Sequence, residues 1–147
     1  MKRLTIPLLV AVITATAGCG YFMAGTWDDD PDNWGRAFQS TRPEDVPVVH
    51  SRYSRSPHWS YEFQYFFEIA PNAQLKAQLF TANKLRPITG KEAAEARENV
   101  FGGAPSWFAP KSVTDYEVWI FADEPERHFK VLIDKASGHM FINDYQV

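Results

Sequence analysis

The clearest hydrophobic pattern in this chain is an alternation of apolar and polar positions over residues 59–69. Apolar side chains recur there at every second position, and Glu62, Gln64 and Glu68 stand among the residues between them. A period of two is typical of a strand with one buried face. The β-prone run 46–53 precedes this strand across a short Ser/Pro turn, so the two segments predict a β-hairpin.

Two helices are predicted after the hairpin. Asn72 stands where a helix N-cap is expected, and the apolar residues that follow have helical spacing to about residue 82. Thr89 and Glu92 have the spacing of a capping box, which predicts the start of a second helix. Gly102 and Gly103 are expected to end that helix, since glycine is favoured just past a helix C-terminus.

The last third of the chain predicts three strands, at residues 116–122, 128–134 and 139–145. Their short connections favour an antiparallel meander. The predicted order is β-β-α-α-β-β-β, an α+β fold with an antiparallel sheet of about five strands and two helices packed on one face. In this interpretation Trp119, Phe121 and Phe141 lie on the opposite face and need a cover of their own.

The loop 105–110 is a candidate binding surface. Its two prolines restrict the backbone and would hold Trp107 and Phe108 at low entropic cost, as suits an anchor at an interface. The alternative interpretation is that the loop plugs the uncovered face of the sheet. The candidate aromatic binding residues are therefore Trp107, Phe108, Trp119, Phe121 and Phe141.

The N-terminus has the layout of a secretory signal. Lys2 and Arg3 precede the apolar run 4–13 and a stretch of small residues that ends at Cys19. The segment Thr16-Ala17-Gly18-Cys19 resembles a bacterial lipobox, and this resemblance implies that diacylglycerol is attached to Cys19 after cleavage before it. Two alternatives stay open: an uncleaved anchor over residues 4–27, or ordinary cleavage and free secretion.

The chain divides into three parts. Residues 1–27 are the signal peptide, lipoprotein signal or membrane anchor, residues 28–45 are an acidic tether, and residues 46–147 are a single α+β domain. We therefore expect an exported protein on the periplasmic or extracellular side, attached to the membrane through its N-terminus only. Residues 28–147 resemble no family that we recognise.

Composition limits the chemistry. The 147 residues are 45% hydrophobic and 22% charged, which fits one globular domain, and a net charge of -3 gives no cationic footprint for nucleic acid. Cys19 is the single cysteine, so the domain has neither a disulfide nor a thiolate. The alternating Asp28, Asp30 and Asp32 imitate a calcium loop, but the bidentate Glu of such loops is missing and no metal site is predicted.

A second candidate binding surface lies at the first hairpin turn. Arg52, Arg55 and His58 are predicted to cluster there as a contact for an anion or a carboxylate. The alternative interpretation is that these are solvated turn charges. His50 also flanks the turn, but two histidines without a third ligand do not make a zinc site.

These observations favour a non-enzymatic binding protein of the cell envelope. We expect another envelope protein as its partner, in an inhibitor or assembly role, and leave a homodimer open. No catalytic residue and no cofactor is assigned. The alternative is a small hydrolase or ligand-sensing domain with a pocket between helices and sheet, close to His50 and His58.

Overall fold

The computed structural model describes residues 24–56, 62–100, 102–124 and 126–147. Residues 1–23 of the predicted leader, which include Cys19, and His58 in the first hairpin lie outside the described residues. In chain order the described elements are β1 (Gly25–Asp28), α1 (Asn33–Phe38), β2 (Val48–Arg55), β3 (Phe63–Ile69), α2 (Ala73–Asn83), β4 (Leu85–Ile88), α3 (Gly90–Glu98), a 3-10 turn (Val113–Asp115), β5 (Tyr116–Phe121), β6 (Lys130–Asp134) and β7 (Met140–Gln146).

The described strands form one antiparallel sheet with the order β1-β2-β3-β7-β6-β5-β4. The predicted α+β class, the first hairpin and the β5–β6–β7 meander are confirmed. The predicted number of strands is wrong, because the sheet has seven strands in the described part of the chain instead of about five.

The two strands that the sequence did not predict, β1 and β4, are the edge strands of the sheet. In β1 Trp27 pairs with Tyr53 of β2, and in β4 Leu85 pairs with Phe121 of β5. β1 has only four residues and one large apolar side chain, Trp27, so the sequence shows no strand pattern there. β4 has only four residues and contains Pro87, which a strand tolerates at a sheet edge.

The front of the predicted tether is packed into the domain. α1 buries Trp34 against Phe67, with 5.8 Å between the ring centroids. Asn33 is fully buried, and its Nδ2 donates to the carbonyl oxygen of Trp27 at 3.0 Å and to Oγ of Ser51 at 3.1 Å. A buried amide that finds such acceptors fixes α1 to both β1 and β2.

Helices lie on both faces of the sheet, so the prediction of two helices on one face is wrong. α1 and α2 cover one face, which we call the α1–α2 face, where Leu75 packs into the core. α3 and the loop 105–110 cover the other, the α3 face, where Ala93 is buried. The sheet therefore has two apolar layers, and each is covered by the chain itself.

The predicted side of Trp119 and Phe121 is also wrong. In the β5–β6 register Val118, not Trp119, is opposite Leu132, so Trp119 and Phe121 point to the α1–α2 face. Only Phe141 lies on the α3 face as expected. A shift of one residue in register moves every side chain of a strand to the other face, and the sequence of β5 is apolar enough on both sides to hide the difference.

Both predicted helix starts are found, but only one is capped by its side chain. Asn72 accepts a hydrogen bond from the backbone nitrogen of Leu75 at 2.9 Å, as an N-cap should. Thr89 makes no capping hydrogen bond, and Glu92 instead accepts from Arg86 of β4 at 2.6 Å. The second predicted helix, α3, ends at Glu98, before the glycines that were expected to end it.

Candidate functional site

The loop 105–110 has one ring in the core and one at the surface. Phe108 is only 5% exposed and packs edge-on against Phe66 and Phe141, with centroid distances of 5.0 and 5.8 Å. Trp107 is half-buried at the rim of the same layer. The plug interpretation therefore describes Phe108, while Trp107 keeps an accessible face.

Hydrogen bonds hold this loop in place. Nη2 of Arg97, on α3, donates to the carbonyl oxygens of Ala109 at 2.9 Å and Lys111 at 2.7 Å. The backbone nitrogen of Lys111 donates to the hydroxyl of Tyr116 at 3.0 Å. Ala109 is 1% exposed and has φ of 42°, a left-handed conformation that a non-glycine residue holds only when its surroundings enforce it. Trp107 thus extends from a loop that is fixed on its C-terminal side.

Trp107 lies on the imidazole of His50 in β2. The two rings are nearly parallel, with centroids 5.4 Å apart and an interplanar angle of 27°. The pairing of β2 with β3 shifts between Val48 and His50, as in a β-bulge. Such irregularities re-aim side chains at the ends of strands, and here the result places His50 on the α3 face beneath Trp107.

His50 belongs to a row of two histidine–carboxylate pairs at one end of the sheet. Nδ1 of His50 is 3.2 Å from a carboxylate oxygen of Asp29, and Nδ1 of His139 is 2.8 Å from Oε1 of Glu68. His50 and Glu68 are direct cross-strand partners of β2 and β3, so the two pairs are neighbours. We call Asp29, His50, Glu68 and His139 the histidine–carboxylate row.

Asp29 is held in position by the backbone. It follows β1 with φ of 49°, and its Oδ1 accepts from the backbone nitrogen of Ser51 at 2.8 Å. Its own nitrogen donates to the carbonyl oxygen of Ser51 at 2.7 Å. These two bonds fix a carboxylate that is still more than half exposed. The site therefore offers a fixed carboxylate next to the imidazole on which Trp107 lies.

This arrangement suits the binding of a cationic group. A guanidinium or ammonium ion can lie over an indole ring and approach a carboxylate at the same time. In the described part of the chain the two imidazoles hydrogen-bond to carboxylates and to no side-chain hydroxyl. Each pair is a salt bridge only when its imidazole is protonated.

The other predicted aromatic site residues are packed inside the domain. Phe141 is 4% exposed on the α3 face. Trp119 meets Phe80 of α2 edge-on at 4.4 Å, and Phe121 meets Phe129 at 4.9 Å. Helix α2 and neighbouring side chains thus cover the rings that seemed to need an external partner, and their role in binding stays a prediction.

The structure does not bring Arg52 and Arg55 together. They are three residues apart in β2, so their side chains point to opposite faces. Nε of Arg52 donates to Oδ1 of Asp28 at 2.5 Å. His58 and Cys19, the remaining predicted site residues, lie outside the described residues.

A buried lysine was missed by the sequence reasoning. Lys130 is 3% exposed, and its Nζ donates to the carbonyl oxygens of Ala96 and Asn99 at the end of α3. Burial lowers the pKa of Lys130 to about 8, and the charge of Asp144 opposes this shift. The carbonyl groups at a helix C-terminus have no hydrogen-bond partner within the helix, and the ammonium group of Lys130 donates to two of them. Lys130 therefore has the capping role that the sequence assigned to the glycines.

A shallow cleft lies between α1 and β2, next to Asp29. Its volume is about 170 Å³. Charged and aromatic side chains, among them Asp30, Arg42 and Trp34, line it together with the apolar Val48 and Phe67. The cleft lies between helix and sheet on the α1–α2 face, and His50 is not part of its lining. Its volume is below the roughly 300 Å³ of common ligand pockets.

Residues 24–56, 62–100, 102–124 and 126–147 contain no group of three or more His, Cys, Asp or Glu side chains placed to hold a metal ion. No helix in this part of the chain combines the length and the apolar character needed to cross a bilayer.

The histidine–carboxylate row has no local signal in the sequence. Its four members come from three strand ends and a turn, and Glu68 and His139 are 71 positions apart. Only the pairing of β3 with β7 brings them together. Comparison of the chain with protein-family models, curated proteins and solved structures finds no match.

Proposed function

We propose that this chain is an exported, membrane-tethered envelope protein that acts by binding another protein. The leader supports export, because a charged start, an apolar run and small residues before Cys19 follow one another in the order of a secretory signal. Tethering rests on the lipobox-like segment, or on the predicted anchor 4–27 shortened to the residues before β1, which begins at Gly25.

The observation that carries the binding proposal is the placement of Trp107 on His50. Anchors at protein interfaces are commonly Trp, Tyr or Arg side chains held in a defined position. Trp107 has such a position, because Phe108 is inserted in the core and Arg97 fixes the next residues of the loop. Little conformational freedom would then be lost when a partner covers the indole.

The chemistry of the surface favours a basic partner. Asp29 is exposed beside Trp107 and His50, and residues 28–147 carry 13 basic and 18 acidic side chains. An Arg or Lys of the partner can contact the indole face and Asp29 together. An inhibitor of a basic enzyme and an assembly factor both fit this description.

Photo-crosslinking in cells tests the proposal. A benzoylphenylalanine replaces Trp107 in the full-length chain, and a matched chain carries it in place of Phe80, another half-buried ring on the opposite face. We expect one discrete adduct in the membrane fraction, from position 107 only, and we expect Asp29→Asn to weaken it. Absence of an adduct, or equal adducts from both positions, contradicts the proposal.

The cleft between α1 and β2 supports a second candidate function, the sensing of a small ligand. Arg42 makes no ion pair with a described residue and lines the cleft with the apolar Val48 and Phe67, so a short-chain carboxylate is the fitting ligand class. We expect short-chain carboxylates, from acetate up to butyrate, to raise the melting temperature of the full-length chain. Arg42→Ala should abolish this increase. Equal melting temperatures with and without these acids count against this candidate.

A further inference from the structure

The first strand begins very close to the predicted attachment point. Five residues, 20–24, separate Cys19 from the start of β1 at Gly25. Fully extended, the six steps from Cys19 to Gly25 reach at most about 22 Å, since a residue spans no more than ~3.3–3.6 Å. A lipid chain on Cys19 would therefore keep the beginning of β1 close to the headgroups.

The strand that comes directly after this short connection, β1, is firmly packed in the sheet. Trp27 of β1 packs against Tyr53 of β2, with 6.1 Å between the ring centroids. Arg52 donates to Asp28, and Asn33 donates to the carbonyl oxygen of Trp27. β1 is thus bound on its side chains and on its backbone, and the domain cannot swing on a long tether.

The strand register defines which end of the sheet lies near the attachment point. Gly25 pairs with Arg55, and Arg55 pairs with Phe63. Phe63 in turn pairs with Gln146. The start of β1 and the C-terminal Val147 therefore lie at one end of the sheet, which we call the anchor end.

The histidine–carboxylate row lies at the other end. His50 stands near the beginning of β2, and Arg55 ends that strand. The five steps between them correspond to about 17 Å at a rise of ~3.3 Å per residue. Asp29 follows the last residue of β1, so the chain runs away from the anchor end to reach the row.

We propose that the anchor end rests against the lipid headgroups and that the histidine–carboxylate row points away from the membrane. This inference rests on the proposed function, since it requires an anchored N-terminus. This orientation needs the least extension of the connection, because the row lies about 17 Å farther along the sheet than the start of β1. Trp107 and Asp29 are then presented to proteins at a distance from the lipid.

Charges at the anchor end are compatible with this contact. Lys84, next to β4, pairs with Asp123 at 2.9 Å, and Arg127, before β6, pairs with Glu124 at 3.9 Å. These pairs reduce the repulsion that isolated carboxylates would feel near anionic headgroups. Val147, the last residue, is 66% exposed and apolar.

Fluorescence quenching in vesicles tests the orientation. The full-length chain is reconstituted into vesicles of phosphatidylethanolamine and phosphatidylglycerol that contain a lipid with a nitroxide on its headgroup. An azide-bearing amino acid replaces either Val147, at the anchor end, or the exposed Ala136, in the turn between β6 and β7, and is coupled to a fluorophore. We expect the nitroxide to quench the probe at 147 at least twofold more than the probe at 136.

A matched chain provides the control. A flexible Gly/Ser segment of twenty residues is inserted before Gly25, and the difference between the two probes should then disappear. Equal or reversed quenching in the unmodified anchored chain overturns the orientation and leaves the binding proposal intact. A chain that does not enter the membrane fraction of cells overturns the proposed tethering, and this inference with it.

Discussion

Trp107 and Phe108 are adjacent in the chain and hold their rings at 72° to each other, with 6.2 Å between the centroids. One ring rests on His50 and the other fills the core between Phe66 and Phe141. Phe108 therefore contributes to the core, and Trp107 stays available for the proposed binding. This difference can be measured with two substitutions.

We expect Phe108→Ala to lower the free energy of unfolding by about 3–5 kcal/mol, because it leaves a cavity in the α3 face. Trp107→Ala should cost about 1 kcal/mol, since that ring is only partly removed from water. Urea unfolding of the full-length chain in detergent, followed by circular dichroism, gives both values. Equal losses would contradict the assignment of Trp107 to the surface.

A second prediction concerns the pH dependence of stability. Burial lowers the pKa of Lys130 to about 8 in the folded chain, whereas an unfolded chain has the usual lysine value near 10.4. Between these two values the unfolded state binds more protons, so the contribution of Lys130 to stability rises with pH, by up to about 3 kcal/mol. Below pH 8 both states are protonated and this contribution does not change.

Unfolding free energies at pH 7.5 and pH 10 test this prediction in three chains. The wild-type chain should gain more stability over this interval than Lys130→Met, which lacks the buried amine. Lys91→Met serves as control, because Lys91 is 89% exposed and its loss should leave the wild-type pH dependence unchanged. The same pH dependence in wild type and Lys130→Met would show that the amine is not held in the core.

A third prediction tests whether α1 is part of the domain. Asn33→Ala removes the donor to the backbone of Trp27 and to Ser51 and leaves buried acceptors unsatisfied, so we expect a loss of about 2–3 kcal/mol. Asp32→Ala, one residue earlier, should change stability by less than about 0.5 kcal/mol, because its side chain is exposed and makes no capping bond. Equal, small effects in thermal unfolding would favour a loose tether.

A fourth prediction compares the two helix starts. Asn72→Ala removes a formed cap and should destabilise the chain by about 1 kcal/mol. Thr89→Ala should cost less than half of that, since Thr89 makes no capping bond. Chemical denaturation midpoints give the comparison, and a larger loss from Thr89→Ala would mean that the capping box forms after all.

Local patterns in the sequence were sufficient for the central elements. The alternation in β3 and the cap at Asn72 depend on neighbours within a few residues, and both appear at the predicted places. The three strands of the meander follow for the same reason, since short turns leave few ways to connect them.

Features that depend on distant pairing were not predictable. The side of the sheet on which Trp119 lies depends on the β5–β6 register, which differs by one position from the expected register. The histidine–carboxylate row exists because β3 pairs with β7, far away in the chain. β1 was hidden because its four residues include one large apolar side chain, Trp27, and the strand is recognised only from its pairing with β2.

Pro87 has a consequence for how copies of this protein behave at high concentration. It lies in β4, the outer strand on one side of the sheet, and it has no backbone N–H to offer a neighbouring chain. Growth of the sheet by stacking of copies is therefore hindered on that side. On the other side β1 has four residues in the described part of the chain, so crowding should not turn the domain into a fibre.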